Sequence, residues 1–172
     1  RYGVNLMPLG GHYDLQGNFP RERWMENCRR MCEMLRSLGH IVFIAHDQAE
    51  HTFMTSFALP SERVAHSGNW REYLDLYAGC TVLAANRVHG AVCAAGFGVP
   101  SLIMGNDTRA RIGEYIGLQV TSAEEMSAND IAERMSEMLR TRGEQHCRLL
   151  AKRDATMERY LAAVTPILAS IQ

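Results

Sequence analysis

The feature that most constrains the fold is an alternation of short apolar stretches and helical patterns along most of the sequence. Continuous apolar stretches such as HIVFIAHD and TVLAAN are typical of strands that are buried on both faces. Between them, segments such as the one from Pro20 to Gly39 place apolar side chains at helical spacing. Helical crossovers between buried strands predict a parallel sheet with helices on both faces, and right-handed crossovers then leave very few topologies. The predicted fold class is therefore α/β, a Rossmann-like three-layer domain with a mostly parallel sheet.

The predicted elements follow one another with few interruptions. Pro20 suits the start of a helix, Gly39 suits the position just after its end, and Asn69 suits a helix N-cap. The predicted strands are YGVNLMPLG, HIVFIAHD, RVAHS, TVLAAN, PSLIMGN and QVTS. The predicted helices are the segment from Pro20 to Gly39, QAEHTFMTSFAL, NWREYLDLYAGC, VHGAVCAAGFG, RARIGEYIGL and two helices at the C-terminal end.

Composition limits the classes of partner. The chain has 172 residues and a net charge of −1, which predicts no general attraction to nucleic acid or to a membrane surface. No apolar run is long enough to span a bilayer, and no signal peptide is visible. Five scattered cysteines suggest reduced thiols and a cytoplasmic protein. Cys28 and Cys32 share a helix face, where packing is a simpler interpretation than a metal pair, so we predict no metal site. Because the chain opens without Met, we expect an upstream part to be missing.

Polar residues follow the predicted strands, where ligands bind in sheets of this kind. They form a rim rich in His, made of Gly10, Gly11 and His12; His46 and Asp47; His66, Ser67 and Gly68; Asn86, Arg87 and His89; and Asn106, Asp107, Thr108 and Arg109.

Arg87 and His89 stand where the strand TVLAAN gives way to a helix of small residues. The free N–H groups of a helix N-terminus attract an anion, and an arginine fork matches a carboxylate or a phosphate. A histidine can donate or accept a proton near neutral pH, and Gly90 allows a ligand to approach the backbone. These residues predict an anion site with an acid or base beside it. The alternative is that Arg87 pairs with a neighbouring Asp and that His89 caps the helix.

Other rim residues admit two interpretations each. Arg109 could reach the same anion from the adjacent strand, while Asp107 or Thr108 caps the next helix. Asp47 could bind a ligand hydroxyl, although a helix N-cap is the simpler interpretation. The loop with Gly10 and Gly11 resembles a phosphate-contacting loop. The chain has no G-x-G-x-x-G and no P-loop, so we predict neither an NAD site nor an NTPase.

The passage REYLDLYAGCTVLAANRVHGAVCAAGFGVPSLIMGND resembles the C-terminal half of the polysaccharide pyruvyl transferase family. The resemblance rests on Gly79-Cys80, the strand TVLAAN, Arg87-x-His89, the small-residue run GAVCAAGFG and Val99-Pro100, and it extends over residues 1–120. Family members often place a Lys after the last motif strand, where this chain has NDTRAR. The implied fold has two Rossmann-like lobes, as in GT-B glycosyltransferases. Residues 1–125 would be the C-terminal lobe, residues 126–172 would be helices packed on the same domain, and the N-terminal lobe would be missing.

The resemblance also implies an activity. The family moves pyruvate as a ketal from phosphoenolpyruvate to two hydroxyls of a sugar in a surface polysaccharide, an exopolysaccharide or a lipid-linked precursor. Arg87 would grip the donor and His89 would be the general acid and base. The donor site would also include Gly90, Asn106, Arg109, Gly10, Gly11 and Ser67, with phosphoenolpyruvate as substrate and no cofactor.

Two other functions remain open from the sequence. A GT-B glycosyltransferase or a sugar-nucleotide enzyme could bind a nucleotide diphosphate at the same helix N-terminus. A sensor or scaffold domain without activity could have kept the fold.

Overall fold

Six short strands lie side by side in one parallel sheet in the computed structural model, which describes residues 1–8, 21–105, 108–122 and 127–169. The sheet order is β3-β2-β1-β4-β5-β6, and every neighbouring pair in it is parallel. The central strands are buried on both faces, which explains their continuous apolar sequences. The strands are β1 (Tyr2–Asn5), β2 (Ile41–Ala45), β3 (Arg63–His66), β4 (Val82–Ala85), β5 (Ser101–Gly105) and β6 (Gln119–Ser122).

Helices cover both faces of the sheet and divide the core in two. Residues of α1, α2 and α6 pack with one face of the strands, and residues of α3, α4 and α7 pack with the other. The predicted α/β fold class is confirmed. The helices are α1 (Arg21–Leu38), α2 (Gln48–Thr55), α3 (Trp70–Ala78), α4 (Val88–Gly96), α5 (Arg111–Ile116), α6 (Ala128–Arg140) and α7 (Arg142–Ala169), with a 3-10 turn at Thr108–Ala110 before α5.

The strand order places a switch point between β1 and β4. β1 pairs with β2 on one side and with β4 on the other, with Val4 opposite both Phe43 and Ala84. The next helix after β1 packs on one face of the sheet, whereas α4 after β4 packs on the opposite face. A crevice opens where successive crossovers diverge in this way, outside the carboxyl ends of the strands. Arg87 and His89 lie at this end of β4.

The two C-terminal helices differ in how much of them is buried. α6 begins at a capping box of Ser127 and Asp130 and buries Ile131, Met135 and Met138 against α1 and the sheet. α7 contacts α4, but Leu149 is its one buried residue. Along the described part of the chain, no helix combines the length and the apolar character that a bilayer crossing requires. The division at residues 125 and 126 stays a prediction.

Candidate functional site

Arg87 lies at the switch point, in the N-cap position of α4, with extended backbone. Its guanidinium points back across the sheet to α2 and forms two ion pairs. Nε donates to Oε1 of Glu50 at 2.5 Å, and Nη2 donates to Oδ2 of Asp47 at 2.6 Å. Within the described residues, Nη1 has no hydrogen-bond partner. The pairing of Arg87 with a neighbouring Asp, the alternative considered from the sequence, is present, and a second carboxylate joins it.

Glu50 is the buried partner, with a side chain that is 1% exposed. Its carboxylate accepts hydrogen bonds from Arg87 Nε, from the His46 backbone N–H and from Asn5 Nδ2. A buried carboxylate needs both a counter-charge and several donors, and Glu50 has both. Asp47 is different, because its side chain is 48% exposed and its Oδ1 caps α2 by accepting from the Glu50 N–H. The N-cap interpretation of Asp47 is therefore confirmed.

Two buried asparagines join the strand ends around this network. Asn5, at the end of β1, donates to Glu50 and to the Ile44 carbonyl, and its Oδ1 accepts from the Arg87 backbone N–H at 3.0 Å. Asn86, at the end of β4, accepts from the Met7 N–H. Because Asn5 touches three separate segments, it fixes where α4 starts relative to α2.

A layer of aromatic side chains lies beside Arg87. His46 stacks on Tyr73 with ring centroids 4.7 Å apart, and its Nε2 shares a hydrogen bond of 2.5 Å with the Tyr77 hydroxyl. Burial, and then the nearby Arg87 guanidinium, lower the pKa of His46 from 6.5 to about 4. Burial also raises the pKa of Tyr77 above its ordinary range. The pair is therefore neutral at pH 7. Gly90 is buried against Tyr77, whose hydroxyl stands where a Cβ would be.

His89 is exposed in the first turn of α4 and has no hydrogen-bond partner among the described residues. It does not cap the helix, because Arg87 holds the N-cap position and makes no side-chain cap bond. The N–H groups of the first helical turn lack partners within the helix. An exposed imidazole and backbone N–H groups that have no partner inside the helix thus lie together at the carboxyl end of β4.

The other residues predicted for the donor site follow other strands of the sheet or lie outside the described residues. Ser67 lies in the turn before α3, where its Oγ accepts from the Asn69 N–H. β2 and β1 stand between β3 and β4, so the structure does not bring Ser67 beside Arg87. Arg109 is half-buried in the 3-10 turn after β5, the strand next to β4. The α5 helix itself begins after Ala110 without a side-chain cap. Four predicted residues lie outside the described residues: Gly10, Gly11, Asn106 and Asp107.

Cys28, Cys32 and a cavity between β6 and α6 lie away from this site. Burial raises the pKa of Cys32 to about 12, and Cys28 beside it is also in the core, so packing accounts for both. Across the described ranges, no three His, Cys, Asp or Glu side chains are arranged to hold a metal ion. A cavity of about 820 Å³ lies between β6 and α6 and is lined by charged side chains, but it does not include Arg87 or His89.

Most of the residues that build this site lie in a segment that matches a known protein family. Residues 30–108 match the polysaccharide pyruvyl transferase family. This match covers slightly less than half of the chain, and it confirms the resemblance predicted from the sequence. It includes β2, α2, β4 and the whole of α4, and therefore Asp47, Glu50, Arg87 and His89. No curated protein sequence matches the chain.

Comparison with solved structures shows that the fold of this chain matches one lobe of a GT-B fold. A UDP-GlcNAc 2-epimerase of Methanocaldococcus jannaschii is 12% identical, with a TM-score of 0.60, and the match covers 80% of this chain and 38% of that one. A protein of Listeria monocytogenes assigned as a UDP-N-acetylglucosamine 2-epimerase is 15% identical, with a TM-score of 0.64 and coverages of 99% and 46%.

A glycosyltransferase structure is similar to this chain to the same degree. The spinosyn forosaminyltransferase SpnP is 15% identical, with a TM-score of 0.59 and coverages of 99% and 43%. At such low identity these likenesses show the fold alone. The chain spans less than half of the length of these three structures.

Sequence reasoning missed Glu50 and Asn5. Asp47-x-x-Glu50 has the spacing of a capping box, which is the one local signal that could have drawn attention to Glu50. The structure departs from that motif, because Glu50 accepts from His46 rather than from its own cap residue. Asn5 carried no local signal, because it lay inside the predicted strand YGVNLMPLG, whereas the structure ends β1 at Asn5.

Proposed function

We propose that this chain is the donor-binding lobe of a polysaccharide pyruvyl transferase, which moves pyruvate from phosphoenolpyruvate to a sugar of a surface polysaccharide, an exopolysaccharide or its precursor. One observation carries the proposal. The segment that matches the family contains β2, α2, β4 and α4, and therefore Arg87 and His89 at the start of α4 together with the two carboxylates that Arg87 contacts. The activity, the substrates and the second lobe belong to the proposal, because the chain spans only part of its structural relatives.

The donor site is proposed at the N-terminus of α4. The carboxylate or the phosphate of phosphoenolpyruvate meets Nη1 of Arg87 and the backbone N–H groups of the first turn. Arg109, at the end of the neighbouring strand, adds a second cation from the same edge of the sheet. Gly10, Gly11 and Asn106 complete the proposed donor site, and Ser67 extends the rim toward β3.

His89 is proposed to carry the protons. Its imidazolium protonates the methylene carbon of phosphoenolpyruvate, which becomes a methyl group and leaves a cationic centre at the neighbouring carbon. A sugar hydroxyl attacks this carbon and returns its proton to His89. The bond from that carbon to the phosphate oxygen then breaks and phosphate leaves. A second hydroxyl attacks the same carbon, gives its proton to the departing phosphate and closes the ketal. The exposure of His89 suits this role, because both donor and acceptor need access to it.

The test is a titration of the chain with phosphoenolpyruvate, followed by thermal unfolding and by calorimetry. A ligand at about 100 times its dissociation constant stabilises the native state by roughly 2.7 kcal/mol. Arg87→Lys keeps a charge opposite Glu50 but loses the planar fork, so we expect weaker phosphoenolpyruvate binding in a folded chain. His89→Gln is expected to fold and bind normally, and to lower pyruvyl transfer by about 10²-fold or more in the complete enzyme.

A second candidate is a lobe that binds a nucleotide diphosphate. It is favoured by the fold likeness to UDP-GlcNAc 2-epimerases and to a forosaminyltransferase. UDP and GDP therefore enter the same titration as separate ligands. Stabilisation by a nucleotide without any response to phosphoenolpyruvate would replace the pyruvyl transfer proposal with this one.

A further inference from the structure

We propose that the two carboxylates paired with Arg87 have opposite effects on donor binding. Glu50 anchors the guanidinium, whereas Asp47 occupies the position that an anionic donor takes when it binds. This inference rests on the proposed function, because it assumes that the donor is an anion bound at Arg87. It assigns Glu50 as a positioning residue and Asp47 as an internal competitor of the donor.

The anchoring role of Glu50 follows from its burial. Its side chain is 1% exposed and accepts from Arg87, from Asn5 and from the His46 backbone. The same Asn5 side chain accepts from the Arg87 backbone N–H, so the backbone and the side chain of Arg87 are fixed together. If Glu50 separated from Arg87, a buried charge would be left without its partner, which is strongly unfavourable. The contact between Glu50 Oε1 and Arg87 Nε is therefore expected to persist when a donor binds.

The competing role of Asp47 follows from its exposure. Its side chain is 48% exposed, and it touches Nη2 of Arg87 through one oxygen while the other oxygen caps α2. Asp47 loses less of its hydration in this pair than Glu50 does, so another anion can replace this oxygen at a smaller cost than it could replace Glu50. Nη2 belongs to both edges of the guanidinium that a carboxylate or a phosphate can grip with two oxygens, the edge with Nη1 and the edge with Nε. Asp47 therefore contacts an atom that a two-oxygen ligand would need.

The charge balance makes this competition important. One guanidinium faces two carboxylates, so the group of Arg87, Glu50 and Asp47 carries a net charge of −1. A donor with several negative charges is repelled by such a group until Asp47 moves away or loses its charge. Loss of the Asp47 charge should therefore raise the affinity for the donor, whereas loss of the Glu50 charge should lower it.

Two isosteric substitutions test the opposite signs. Asp47→Asn removes the charge but keeps the helix cap, because Asn and Asp are about equally good caps. We expect it to tighten phosphoenolpyruvate binding by about threefold to tenfold in calorimetry at low salt, and by less at high salt, where charge effects are screened. Glu50→Gln is expected to weaken binding by about tenfold or more, because Arg87 loses its anchor.

Glu62→Gln is the matched control for Glu50→Gln. The Glu62 side chain is 10% exposed and pairs with Arg36, so it loses a similar ion pair. It lies just before β3, at the opposite end of the strands from Arg87. We expect it to lower the unfolding midpoint without changing the dissociation constant for phosphoenolpyruvate. If Glu50→Gln does not fold, Glu50→Asp keeps the charge and shortens the side chain, and weaker binding by a folded Glu50→Asp chain supports the anchor.

The outcomes separate this inference from the proposed function. If the wild-type chain binds phosphoenolpyruvate and Asp47→Asn binds it equally or more weakly, the competition is overturned and the proposed function stands. If Glu50→Gln is folded and binds as the wild type does, the anchoring role is overturned. If neither the wild type nor Asp47→Asn binds phosphoenolpyruvate, the proposed function of this lobe and the inference fail together.

Discussion

At the scale of single residues, the site is a charge network and not a lone cationic fork. Glu50 and Arg87 are 37 positions apart in the sequence and meet because β2 and β4 flank β1 in the sheet. A buried carboxylate of this kind is stable only while its partners stay in place. The stability of the domain and the position of the donor-binding arginine therefore depend on the same contacts.

Removal of the Arg87 side chain should destabilise the chain strongly. Arg87→Ala leaves the Glu50 carboxylate buried without a counter-charge, which costs about 3 kcal/mol or more. Urea denaturation of wild type and variant measures the loss of unfolding free energy. Arg140→Ala is the control, because Arg140 pairs with Glu137 on an exposed helix surface and should contribute little to stability. Equal losses at both positions would show that Glu50 is solvated or protonated in the native state.

His46 should make the stability depend on pH. Its folded pKa of about 4 lies below its ordinary value of 6.5, so the unfolded chain binds a proton more readily. The stability from neutral His46 is therefore fully present above pH 6.5 and is lost as the pH falls from 6.5 toward 4. We expect the urea midpoint of the wild type to fall over this range, and to fall less in His46→Gln. His40→Gln, at an exposed histidine, should keep the wild-type profile, and a wild-type profile in His46→Gln would contradict the assignment.

The sequence predicted only part of this network. Arg87, His89 and Asp47 could be found because each follows an apolar strand, where parallel sheets bind ligands. Glu50 was missed, because its spacing from Asp47 indicates at most a capping box, and nothing in the local sequence indicates that its side chain is buried. The direction of the Arg87 side chain was equally hidden, since it depends on a contact between segments that only the folded sheet brings together.

At the scale of the elements, prediction was more successful, and the reason is physical. β1, β2, β4 and β5 are buried on both faces, so their apolar sequences leave little choice of structure. The N-caps of α2 and α3 could be predicted because Asp and Asn are preferred N-cap residues. In the structure, Asp47 and Asn69 each accept from a backbone N–H of the first turn. The start of α5 was not, because a 3-10 turn precedes it and its N-cap is Ala110.

The packing of α4 on α3 should depend on one glycine. A Cβ at Gly90 would overlap the Tyr77 hydroxyl and would stand 3.0 Å from Cζ. Gly90→Ala is therefore expected to lower the unfolding free energy by about 1–3 kcal/mol, and Tyr77→Phe in the same chain should restore part of the loss. Gly96→Ala on the same helix meets open space and should be neutral or slightly stabilising. Thermal unfolding of the four chains measures this, and a neutral Gly90→Ala would show that α4 can shift away from α3.

At the scale of the whole molecule, the chain combines a buried sheet with a long helix that is mostly exposed. Leu149 anchors α7 to the core beneath α4, while Met157, Tyr160 and Leu161 farther along the helix are each at least half-exposed. A helix with so little burial gains few stabilising contacts from its second half. Side chains of α7 that lie beyond Leu149 should therefore contribute little to the free energy of unfolding.

The same substitution at two positions of α7 tests how far along the helix the side chains contribute to stability. Leu149 is 4% exposed, so Leu149→Ala should lower the unfolding free energy by about 3 kcal/mol through lost burial and the cavity it leaves. Leu161 is 52% exposed, so Leu161→Ala should change it by less than about 0.5 kcal/mol. Urea denaturation at two protein concentrations measures both. A large loss for Leu161→Ala that grows with protein concentration would mean that the second half of α7 is buried against another copy of the chain in solution, because only an association makes stability depend on concentration.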